Sequence, residues 1–113
     1  MKNQMFTPDQ LETIKLKVIA LLSYVKKHDG MELPHCFRFC EKIVRNIDIS
    51  RDAHYAESNE LTALIKDDWR IAFRSRDGLL EYYIQNDEFE VQRNMNAVIS
   101  KQISEIDEYI NTQ

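Results

Sequence analysis

The sequence predicts an all-α fold, an antiparallel bundle of about four helices, and three observations lead there. Apolar residues recur at spacings of three and four through most of the chain, the period of an α-helix. Two glycines and two prolines in 113 residues are too few for a turn-rich β fold and suit long helices with short links. With 43% hydrophobic and 30% charged residues, the composition is that of an ordinary globular chain. One domain over residues 1–113 is the economical reading.

The first helix has the clearest start. In Met5-Phe6-Thr7-Pro8-Asp9-Gln10-Leu11, Thr7 is placed to cap the first amides and Pro8 suits the first helical position. Gln10 can reach back to the Thr7 amide, and Phe6 with Leu11 occupy the two positions of a hydrophobic staple. The helix runs to about Lys27, with Leu11, Ile14, Val18, Leu22 and Val25 on one stripe. Lys26, Lys27 and His28 sit where the helix dipole favours positive charge, and Gly30 offers a left-handed stop.

Pro34 marks the start of a second helix ending near Ile47 or Asp48, with Cys36, Cys40, Ile43, Val44 and Ile47 inward and Phe37 and Phe39 on its flanks. Residues 50–57 read as a loop, and Ser58 as the cap of the third helix. That helix is predicted to run from Leu61 to Ile84 as the spine of the bundle, with a kink or break allowed at Gly78. Leu61, Leu64, Ile65, Ala72, Leu79 and Tyr83 share its inner face, edged by Trp69, Ile71 and Tyr82. A fourth helix starts at Asp87 with Glu90 in capping-box spacing and ends near Ile110. Its inward residues are Val91, Met95, Val98, Ile99, Ile106 and Ile110, with Gln102 as a polar exception.

A net charge of −4 gives no basic footprint for nucleic acid, although Lys66, Arg70 and Arg74 share the outer face of the spine. Asp67 and Asp77 on the same side make that face one of mixed charge. No apolar run is long enough to span a bilayer, and MKNQMFTPDQ lacks the apolar core of a signal peptide. The expectation is a cytoplasmic protein with reduced thiols and no membrane partner.

Nucleotide loops, zinc-protease and serine-hydrolase signatures are absent, so the sequence argues for no cofactor and leans against an enzyme. His35, Cys36 and Cys40 are weak metal candidates. The cysteines are one turn apart, but tetrahedral zinc needs further ligands that no second pair supplies. Glu32-x-x-His35 matches half of a di-iron motif, without the second copy such a site requires. Asp68 falls in the apolar stripe, where a carboxylate needs an arginine such as Arg76, a polar pocket or a partner.

Trp69, Phe73, Tyr82 and Tyr83 spread apolar surface over more than half of the spine's circumference, more than a small bundle needs internally. The sequence therefore favours a non-enzymatic protein–protein interaction or regulatory bundle whose partner is a protein, a second copy included. Those aromatics would be the anchors, with Arg70 and Arg74 at the rim. The alternative is a ligand- or metal-binding bundle built around Asp68 and the Cys36/Cys40 pair.

Overall fold

The computed structural model describes residues 5–28, 35–52, 59–74, 78–79 and 82–112. These form four α-helices: α1 (Pro8–His28), α2 (Cys36–Asp52), α3 (Asn59–Arg74) and α4 (Phe89–Thr112). No strand occurs among the described residues.

At the start of α1 the Gln10 amide donates to Thr7 Oγ1 at 3.1 Å, and the Thr7 amide donates to Gln10 Oε1 at 2.9 Å. This reciprocal cap satisfies two amides that the helix itself cannot. Phe6 and Leu11 are both buried beside it. The Phe6 amide donates to Thr62 Oγ1 of α3 at 3.0 Å, so the segment entering α1 is tied to the start of another helix. Gly30 and Pro34 lie outside the described residues.

Helix α2 begins at Cys36, after a turn closed by the Arg38 amide on the His35 carbonyl. It continues to Asp52, into residues expected to form a loop. The extra turn is held by Arg51, whose guanidinium meets Glu12 of α1 at 2.9 Å and Asp48 at 3.2 Å. Lys15–Asp48 at 2.6 Å also joins the first half of α1 to the end of α2. Lys26–Glu41 at 3.3 Å joins the end of α1 to the first half of α2.

The described α3 spans Asn59–Arg74, 16 residues, so a third helix running unbroken from Leu61 to Ile84 is not seen. The described residues after it, Gly78, Leu79 and 82–86, are not α-helical. Leu79 and Ile84 are nevertheless buried, whereas Tyr83, which helical phase would turn inward, is 49% exposed. The reason is on α4. Asn96 accepts from the Ile84 amide at 2.8 Å and donates to the Ile84 carbonyl at 2.9 Å. A side chain thus satisfies backbone groups of Ile84 that a continuing helix would have paired internally.

The start of α4 also differs from expectation. Asn86 and Gln92 form the clip, the Asn86 amide donating to Gln92 Oε1 and the Glu88 amide to Asn86 Oδ1, both at 2.9 Å. Met95, Ile99, Ile103, Ile106 and Ile110 face inward. Val91 and Val98 are turned out, which rotates the inner stripe away from the predicted one and onto Ile103.

The core joins Val18, Leu21 and Val25 of α1, Phe37, Cys40 and Ile43 of α2, Ile65 and Ala72 of α3 and the α4 isoleucines. α2 packs on both α1 and α3; α4 lies mainly on α1 and touches α3 at fewer points.

Candidate functional site

The sparse meeting of α3 and α4 leaves a cavity of about 330 Å³, open to the surface. Trp69 and Phe73 form its floor, their rings stacked with centroids 5.9 Å apart and planes 27° from parallel. They lie at i and i+4, one turn apart on the same side of α3, which is why they meet. Trp69 is buried, but its indole edge turns toward α4, where Nε1 donates to Asp107 Oδ1 at 2.9 Å. Asn111 Nδ2 donates to the same oxygen at 2.9 Å and to the Asp107 carbonyl at 2.8 Å. Asp107 therefore fixes the indole and is itself held by the next turn of its helix.

Lys66, Arg70 and Arg74 supply the rim from α3, at one-turn spacing. Arg70 pairs with Asp67 at 3.1 Å, an exposed link of small energetic weight. Lys66 stands 5.4 Å over the Phe6 ring. Among the described residues neither Lys66 nor Arg74 has a carboxylate partner. The mouth is thus cationic over an aromatic floor, in a chain whose net charge is −4.

Of the six aromatic and arginine residues singled out in the sequence, Trp69, Arg70, Phe73 and Arg74 meet at this cavity. Tyr82 and Tyr83 do not line it. Tyr82 packs edge-on against Phe37, with centroids 4.8 Å apart, and belongs to the core margin. Tyr83 accepts a hydrogen bond from the Gln92 side chain near the start of α4. Asp107 and Asn111 were missed. Their i, i+4 spacing on the flank of α4 is a weak signal, and nothing local indicates that an indole lies opposite.

Asp68 faces the other seam of α3. It is buried, and Oδ1 lies 3.7 Å from Lys42 Nζ of α2, an ion pair too long to be a hydrogen bond. The partner is a lysine of another helix; Arg76, one of the partners considered from the sequence, lies outside the described residues. Oδ2 has no hydrogen-bond partner among the described residues, nor does Gln102 Oε1, the polar exception on α4. Burial pushes the Asp68 carboxyl above the usual carboxylate range; Lys42 pulls it back and Asp67 adds to the rise.

Cys36 and Cys40 are buried thiols with no disulfide. Burial pushes the Cys40 thiol far above its ordinary range, reinforced by Cys36 and Glu41, so it is a packing group and a poor nucleophile. His35 is exposed and stands edge-on to Phe39 at 6.1 Å. Among the described residues no three His, Cys, Asp or Glu side chains gather as metal donors. No described helix is long and apolar enough to cross a membrane. No family model, curated protein or solved structure matches the chain.

Proposed function

We propose that this chain is a non-enzymatic, antiparallel helical bundle that binds protein through the α3–α4 cavity, in a reducing cytoplasmic setting. The ligand it suits is an acidic segment carrying an aromatic or large aliphatic anchor. The observation that carries this reading is the stacked Trp69–Phe73 floor beneath a rim where, among the described residues, Lys66 and Arg74 have no carboxylate partner. An apolar anchor on the floor and carboxylates at the rim would complement it in shape and charge. Both carboxylates of the cavity are engaged, Asp67 by Arg70 and Asp107 by Trp69 and Asn111, which supports binding over acid–base chemistry.

Trp69 is the only tryptophan, so its fluorescence reports on the site directly. Titration with a short acidic peptide containing one phenylalanine should give a saturating change, and its lysine-substituted counterpart none. Arg70→Glu with Arg74→Glu should weaken the acidic peptide by at least ~10-fold, about 1.4 kcal/mol. Equal response to both peptides, or no loss in the double variant, would sink the proposal.

A further inference from the structure

The chain carries a segment of the kind this cavity suits. Phe89 is 69% exposed, the most exposed large hydrophobic residue among those described, and it opens α4. Asp87, Glu88 and Glu90 surround it, all exposed, against one cation, Arg93, a turn further on. An aromatic left in water among three carboxylates contributes nothing to its own bundle's core.

Phe89 cannot reach the cavity of its own chain. It precedes Asp107 by eighteen residues, about five turns at 3.6 residues each and about 27 Å of helix. Five whole turns also place both residues on the same edge of α4. Two copies related by a two-fold axis, with these edges antiparallel, would set each Phe89 over the other's cavity. The axis would cross α4 midway, near Ser100, which lies on this edge, is small and exposed, and lets two helices approach closely.

We infer that the occupant of the Trp69–Phe73 cavity is the Asp87–Glu90 segment of a second copy, in a reciprocal homodimer. The inference rests on the cavity being a protein-binding site and adds the identity of its partner. Each Phe89 ring covers the aromatic floor of the other chain, and the acids around it meet Lys66, Arg70 and Arg74. The contact is isologous, so it closes at two copies and does not propagate. One helix edge of about 27 Å places it among small, transient interfaces, so the dimer should appear at micromolar concentration and above.

Sedimentation equilibrium of the full chain tests this with a charge exchange. Phe89→Ala should weaken dimerisation at least ~10-fold without unfolding the chain, because Phe89 is exposed. Ile49→Ala, at 58% exposure on α2, should change nothing. A chain with Arg70→Glu and Arg74→Glu should be monomeric, as should one with Asp87→Lys and Glu90→Lys. Mixed, the two should form a heterodimer, since both reciprocal contacts are then again between opposite charges.

A natural chain monomeric to about 1 mM would overturn the inference, as would a dimer indifferent to Phe89→Ala or a mixture that stays monomeric. Peptide titration of Trp69 separates the two levels of failure. If the acidic peptide binds a chain that does not dimerise, the cavity reading stands and its partner is another protein. If neither the peptide nor a second copy binds, both readings fall.

Discussion

α3 has two seams, and they are built on opposite terms. Against α2 it packs closely and encloses Asp68, which has one lysine at 3.7 Å and one oxygen without a partner among the described residues. Against α4 it packs sparsely and holds Asp107 in a half-open cavity, where an indole and an amide both donate to one oxygen at 2.9 Å. Of the two carboxylates the more buried is the worse satisfied. Closing a seam around a charge costs stability unless every lone pair finds a donor, whereas a seam left partly open can satisfy a carboxylate and keep surface for a partner. The α2 seam is closed, and the α4 seam leaves a cavity open to the surface.

The largest break in this contrast should come from Trp69, which belongs to both the core and the cavity. Trp69→Ala should cost about 3–5 kcal/mol in denaturant unfolding, the cost of emptying a buried aromatic site. Trp69→Phe keeps an aromatic ring in the core but removes the donor to Asp107 and part of the indole's volume. Its cost should be about 1–3 kcal/mol, smaller than for alanine, because one ring stays packed and Asn111 still holds that carboxylate. Equal losses would mean that the hydrogen bond, and not the buried ring, anchors this seam.

The α2 seam should respond to pH. Because the Asp68 carboxyl is raised in the folded state, the native chain holds that proton more tightly than the unfolded chain does. The stability linked to it is present in acid and is lost as pH rises through the folded-state value. Asp68→Asn should therefore raise the melting temperature at pH 7, with the gain vanishing in acid where both states are protonated. Lys42→Ala, which strands the carboxylate beside a half-exposed site, should cost about 1 kcal/mol at pH 7 and little in the Asp68→Asn background. A pH-independent effect of Asp68→Asn would show that burial does not dominate its titration. Smallest of all, Ile71→Ala should stay within about 0.5 kcal/mol by thermal melting, since Ile71 is 40% exposed.

Five of the cavity residues could be read from the sequence because they lie on one helix at regular spacing: Lys66, Trp69, Arg70, Phe73 and Arg74. The opposite wall could not. Asp107 becomes part of the site only when α4 lies beside α3, and no feature of residues 105–111 reveals that placement. Phe89 shows the same limit in reverse. Its neighbours mark a helix start, but its exposure depends on how α4 is rotated; Met95, Ile99, Ile106 and Ile110 of the predicted stripe are buried, whereas Val91 and Val98 are turned out. Tyr82 and Tyr83 were grouped with Trp69 on the assumption of a continuous helix, and they part from it once α3 ends.

Local chemistry determined the helical class, the capped start of α1 and most of the buried faces, because caps and 3.6-residue periodicity act over one or two turns of the same chain. Tertiary structure decided where α3 ends, which face α4 turns inward, and that a cavity remains between them. Each of those outcomes depends on a group far away in sequence: the amide of Asn96 on the Ile84 backbone, or Asp107 on the Trp69 indole. A backbone or indole N–H can be satisfied in many ways, and only the packed bundle selects which.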